Sequence, residues 1–151
     1  MEIIEFQPDH LARLQVQEEQ SLDISNALDN AEAIKAASAG AWSAVEGDAV
    51  LGCIGVFRTA ENRMTAWGLL GRMGAINFFK VHQRVRNFLE AQQAPIRIEA
   101  TVFHGHAPAH QWMDKLGFVL ETPEGMRGYM PDGGTCDLYA YVKGASDAPK
   151  V

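Results

Sequence analysis

The sequence predicts one mixed α/β domain, on three observations. Two apolar runs of strand character, "VLGCIGVF" and "IRIEATVF", flank a long amphipathic helical stretch, and a second, short helix closes on Lys-Leu-Gly-Phe. At 151 residues the chain is long enough for one substantial core and short for two. The domain is expected over residues 1–143, with 144–151 as a loose tail. Hydrophobic residues make up 47% and charged residues 21%, the globular range. The net charge of -6 argues against general nucleic-acid binding, which needs concentrated Lys and Arg.

"EIIEF" predicts a first strand, stopped by Pro8. From there to about Ala39 the pattern is helical, with Leu11, Leu14, Leu22 and Leu28 among polar residues, and Gly40 ends it. "AWSAVEGDAVLGCIGVFR" reads as strand, Gly-Asp turn, strand. In its second half Val50, Ile54 and Val56 should face one way, with Leu51, Cys53 and Phe57 opposite. A strand apolar on both faces is a central one. "RTAENR" supplies the next turn and "MTAWGLL" the next strand.

"GAINFFKVHQRVRNFLEAQQ" is the longest helix. Phe78, Val81, Val85, Phe88 and Leu89 form one apolar stripe at helical spacing, and Lys80, Arg84 and Arg86 fall outside it as a solvated face. After Pro95, "IRIEATVF" alternates Ile96, Ile98, Ala100 and Val102 against Arg97, Glu99, Thr101 and Phe103. In "HAPAHQWMDKLGFVLE", Pro108 suits a first helical turn, and Ala109, Trp112, Met113 and Leu116 make an apolar face. Lys115 favours the negative helix end, and Gly117 suits the left-handed residue that follows. Phe118 opens a strand, "MPDGGT" is a turn, and "DLYAYVK" is the last strand.

The order is therefore strand, helical region, three strands, long helix, strand, short helix, strand, strand. With "MDKLGFVLE" closing the short helix, it resembles the GCN5-related N-acetyltransferase (GNAT) fold over nearly the whole chain. From about Trp67 onward, "AWGLL", "VHQRVRNFLEA", "HAPAHQWMDKLGFVLE" and "MRGYMPDGGTCDLYAYV" are similar to a branch of that fold in tailed bacteriophages. That branch includes the small internal virion protein of short-tailed coliphages.

The resemblance implies an α+β fold with a mixed central sheet, splayed central strands and flanking helices. The splayed pair would be "MTAWGLL" and "IRIEATVF". It implies acetyl-CoA as cofactor, its pantetheine arm between those strands and its pyrophosphate on backbone N–H groups at the next helix start. Here those positions are Leu70, Gly71, Arg72, Met73, Gly74 and Ala75, whose glycine spacing departs from the family's phosphate loop. The reaction implied is acetyl transfer to an amine of a small molecule or a protein. The alternative is a phage virion-associated or assembly protein that keeps the fold without catalysis, with phage structural proteins as partners. A homo-oligomer is also compatible, because terminal strands often pair across dimers in similar proteins.

Catalysis requires a base for the attacking ammonium. Glu99 and His104 are the candidates; otherwise Glu99 is an exposed strand residue paired with a nearby Arg, and His104 a loop histidine. Met113 stands where the family often has a proton-donating Tyr, and a thioether cannot donate. One of Tyr129, Tyr139 and Tyr141 could substitute as the acid, with nothing in the sequence to choose among them, or solvent could serve. His106 takes the place of the family's Asn at the helix start and would contact the cofactor. In "HGHAPAH", His104, His106 and His110 lie close in sequence, but Pro108 and the helix should turn His110 elsewhere, so no metal site is expected.

Trp67, Trp112, Phe78, Phe79 and Phe88 are expected in the core. Cys53 and Cys136 form no CxxC pair, and a buried reduced thiol is the simplest reading of Cys53. The acidic start lacks an apolar signal core, and no apolar run approaches the roughly 20 residues that span a bilayer. A cytoplasmic protein is expected, in a host cell or a virion if phage-encoded.

Overall fold

The computed structural model describes residues 1–15 and 27–145. The expected helix around Leu22 and most of the expected tail lie outside the described residues. The elements are β1 (Glu2–Glu5), α1 (Asp9–Arg13), α2 (Ala31–Ala37), β2 (Ser38–Glu46), β3 (Ala49–Ala60), β4 (Arg63–Leu70), α3 (Ala75–Ala91), β5 (Ile96–Phe103), α4 (Ala107–Leu116), β6 (Val119–Leu120) and β7 (Cys136–Lys143). The sheet order is β1-β2-β3-β4-β5-β7-β6. Two compact units divide the chain, Met1–Arg58 with Ala66–Arg84, and Thr59–Thr65 with Val85–Val151.

In the first unit β1 pairs antiparallel with β2, and β2 with β3. The core gathers Phe6, Leu11, Leu14, Val50, Cys53 and Leu69, with Trp67 against it. Val50 and Cys53 therefore share a side, where strict alternation placed them on opposite faces. The register explains the difference: Val45 pairs with Val50 but Ala44 with Gly52. Leu51 is an extra residue, a bulge that reverses the facing of everything after it. α2 ends at Ala37 and Ser38 already begins β2, two residues before the break expected at Gly40.

In the second unit β5 alternates as its sequence requires, with Ile96, Ile98, Ala100 and Val102 buried. It pairs antiparallel with β7 along its whole length, from Ile96–Lys143 to Phe103–Cys136. Its parallel ladder with β4 is short: Arg63, Met64 and Thr65 pair with Arg97, Ile98 and Glu99. Each strand is 8 residues long, so the ladder covers fewer than half of either. Among the described residues it ends at Thr65–Glu99.

α4 follows its capping signals. Pro108 lies in the first turn, Gly117 is left-handed at φ 88°, and its N–H bonds back to the Asp114 and Met113 carbonyls. Met113 and Leu116 are buried. Along α3, Val81 and Leu89 are buried as the stripe requires, but Phe79 is 57% exposed. Phe79 is one residue, about 100° of helix, away from Phe78 on that stripe, so it faces out and stacks on His82. Arg84, expected in solvent, lies over the Trp42 ring at 5.0 Å. Among the described residues, no helix is long and apolar enough to cross a membrane.

Candidate functional site

The expected phosphate loop lies in the first unit, between β4 and α3. Leu70 closes β4. The Gly71 N–H donates to the Leu51 carbonyl at 2.8 Å, the carbonyl that the β3 bulge turns towards it. A Cβ on Gly71 would stand 2.6 Å from the Gln15 carbonyl oxygen and 3.0 Å from that of Leu51. Gly71 is therefore a glycine because main chain presses on it, and its amide is already used within the fold. Arg72 is exposed, and Met73 is half-buried.

Gly74 differs. A Cβ there would meet nothing within 4 Å, and its carbonyl accepts the first helical bond, from Phe78 N–H at 3.0 Å. Helix geometry leaves the N–H groups of Ala75, Ile76 and Asn77 without an intrahelical acceptor, at the positive end of the dipole. The Glu46 carboxylate reaches the same turn, accepting from Asn77 Nδ2 at 3.2 Å, and the Met1 ammonium lies 3.6 Å from it. The stretch from Arg72 to Asn77 offers an anion such as a diphosphate open backbone and one exposed cation. Glu46 is the counterweight such a ligand would meet.

The expected bases lie in the second unit, in different surroundings. Glu99 Oε1 accepts from Arg97 Nε at 2.7 Å, and Arg97 also grips Glu121 through both terminal nitrogens. Donating to Glu121 first and then to Glu99 holds the Arg97 guanidinium firmly charged, and Arg97 in turn lowers the Glu121 carboxyl. Glu99 is thus paired through Oε1 with the Arg97 cation.

His104 follows β5, and its N–H donates to the Thr135 carbonyl at 2.9 Å, extending the β5–β7 ladder by one step. Its Nδ1 lies 2.8 Å from Asp137 Oδ2. The Asp137 side chain is 3% exposed, that of His104 57%. His110 does not turn away as expected. Three residues into α4, it returns to His104, donating from Nε2 to the His104 carbonyl at 2.9 Å. Its Nδ1 lies 2.7 Å from the Tyr139 hydroxyl. With Nε2 carrying the hydrogen, the Nδ1 of neutral His110 is a lone pair, so the Tyr139 hydroxyl donates in that bond; burial first, then the Asp114 and Asp137 charges, push its phenol up.

His106 sits at the α4 N-cap without a side-chain capping bond; its carbonyl accepts from Ala109 and His110. Met113 is buried. Tyr129 is exposed, and Tyr141 packs on Phe118. Among the described residues, no group of three His, Cys, Asp or Glu side chains is arranged to hold a metal.

No family model matches the chain, and no curated protein matches it. Solved structures do. An acetyltransferase from Streptococcus agalactiae 2603 superposes with a TM-score of 0.68 at 18% identity, covering 94% of this chain and 98% of that one. The aminoglycoside 6'-N-acetyltransferase from Enterococcus faecium gives 0.66 at 15%, covering 94% and 97%. An acetyltransferase of the GNAT family from Bacillus anthracis gives 0.63 at 13%, covering 93% of each. This chain has the GNAT acetyltransferase fold. At such identities the likeness establishes architecture and leaves chemistry to the residues.

Two residues of the imidazole cluster escaped the sequence reading: Asp137, and His110 as a partner of His104. A signal existed for Asp137. In the β5–β7 register it pairs with Val102, and Tyr139 with Ala100, so an aspartate occupies the apolar phase of the pair. A carboxylate on a buried face demands a partner.

Proposed function

We propose that the chain is an acyl-CoA-dependent N-acyltransferase, taking an acetyl group from acetyl-CoA to an amine on a small molecule or a protein. The observation that supports this best is the parallel ladder that stops at Thr65–Glu99, in a fold shared with acetyltransferases. The stretch of β4 after Thr65 is the proposed seat of the pantetheine arm. Arg72, Gly74 and the first amides of α3 are the proposed seat of the pyrophosphate, with Leu70, Gly71, Met73 and Ala75 shaping the loop. The Gly71 amide is spent on Leu51 and serves only the backbone path.

Bound acetyl-CoA supplies the acyl group already activated as a thioester. The chain's own task is to move protons. His104 Nε2 is the proposed acceptor of the proton that frees the amine lone pair, and it is preferred to Glu99, whose Oε1 is committed to Arg97. Two protons leave the ammonium as it becomes an amide. One ends on the departing sulfur and one in solvent. Met113 supplies neither, and Tyr139 is buried with its hydroxyl on His110. The imidazolium of His104 or solvent is left to return the proton.

Release of free thiol from acetyl-CoA with a panel of amines tests this reading. His104→Ala should lower turnover by about 10²–10⁴-fold, and Glu99→Gln should leave it within a few-fold. Equal rates in all three proteins would remove both bases. No thiol release with any amine, together with no binding of any CoA ester, would leave the alternative of a phage virion-associated or assembly protein.

A further inference from the structure

We propose that Asp137 is a positioning residue for His104, fixing which imidazole nitrogen carries hydrogen and keeping Nε2 as the outward-facing base. The proposal rests on the reading of His104 as proton acceptor and adds the part that makes it one. A carboxylate only accepts, so the 2.8 Å contact with Asp137 Oδ2 requires hydrogen on His104 Nδ1. In a neutral imidazole that leaves the lone pair on Nε2. The exposure contrast agrees: the carboxylate is sealed at 3% and the ring it holds is 57% open.

The seal is built. The turn after β6 lies over the carboxylate, with Gly125 at φ 76°. A Cβ there would stand 2.6 Å from Thr135 Cγ2, 3.4 Å from Asp137 Oδ1 and 3.6 Å from His104 Nδ1. His110 braces the other side. Its Nε2–H holds the His104 carbonyl at 2.9 Å, it lies 3.5 Å from Asp137 Oδ2, and Tyr139 O–H on Nδ1 fixes its own tautomer. Both ring and backbone of His104 are thus held.

Asp137 is also costly in a way a purely structural residue need not be. Its Oδ1 is buried with no hydrogen-bond partner among the described residues. A buried carboxylate with one oxygen unsatisfied is unfavourable to the fold. A carboxylate behind the inner nitrogen of a histidine whose outer nitrogen faces solvent is the arrangement by which a general base is oriented.

The test is made on the full chain with ¹⁵N-labelled histidine at pH 8, His104 being assigned by the signal lost in His104→Gln. The wild type should show His104 as the Nδ1–H form. In Asp137→Asn the Nε2–H form should appear, and carbethoxylation of His104 by diethyl pyrocarbonate should slow at least several-fold. Turnover should fall by about 10²-fold or more at little-changed KM, while the melting temperature holds or rises. A wild-type His104 protonated on Nε2 would overturn the proposal without any variant. So would a lower melting temperature in Asp137→Asn with tautomer and reactivity unchanged, since that is a structural role alone. The ring measurements need no acyl-CoA, so the dyad can stand if acyl transfer fails and fall if it succeeds.

Discussion

His10 is the clearest case of a side chain whose chemistry is decided by its surroundings. It is 5% exposed beneath the first-unit core, with Gln7 N–H donating to Nδ1 at 3.1 Å and the Ser43 hydroxyl 2.8 Å from the same nitrogen. Nδ1 is therefore an acceptor from both. Ser43 in turn lies 3.4 Å from Cys53 Sγ, and burial pushes that thiol up to about 11. Burial lowers the His10 pKa below its ordinary 6.5; Asp9 opposes this, and Arg13 and Lys35 reinforce it. The folded state resists a proton that the unfolded chain takes up near pH 6.5, so the unfolded state binds more protons within that window. His10 stability is then complete above about pH 6.5 and is lost as pH falls through the lower, folded value. Urea midpoints measured from pH 8 to pH 5 should fall on acidification, and His10→Gln should flatten the slope. An unchanged slope in that variant would show that His10 does not titrate with unfolding.

At the scale of elements, the β3 bulge and the loop it supports show where sequence patterning runs out. Alternation along "VLGCIGVF" was sufficient to find the strand but not its facing, because one extra residue at Leu51 inverts the phase and leaves no compositional mark. The same bulge sends the Leu51 carbonyl to Gly71, so the two glycines of the loop have different work. Gly71→Ala should cost about 1–3 kcal/mol of stability by pressing a methyl on backbone oxygens that cannot move aside. Gly74→Ala meets open space and should melt within a degree or two of the wild type, yet weaken acetyl-CoA binding if a phosphate approaches that backbone closely. Melting curves of both variants check the first part, and a titration of Gly74→Ala checks the second. Equal stability losses would show that the loop is packed alike at both positions. The extents of β5 and α4 were readable, since their periods, Pro108 and Gly117 are local signals, but the direction of His110 on α4 was not. The His104–Asp137 pair joins positions 33 apart, and only the β5–β7 register brings them together.

For the molecule as a whole, the order of elements was the informative feature, and the structural neighbours share it across nearly their entire lengths. The order does not separate the two proposed bases, because Glu99 and His104 differ in their partners rather than in their place along the chain. Arg97 draws Glu99 into an ion-pair cluster, while the half-open His104 ring bonds to the buried Asp137 carboxylate. The proposed acyl transfer requires that this fold take a CoA thioester where the β4–β5 ladder stops. Thermal unfolding of the full chain with and without acetyl-CoA tests that capacity most directly. At 100 times the dissociation constant the complex should be stabilised by about 2.7 kcal/mol, with a smaller gain at the same concentration for Arg72→Ala. A melting temperature unmoved by millimolar acetyl-CoA or any other CoA ester would contradict it.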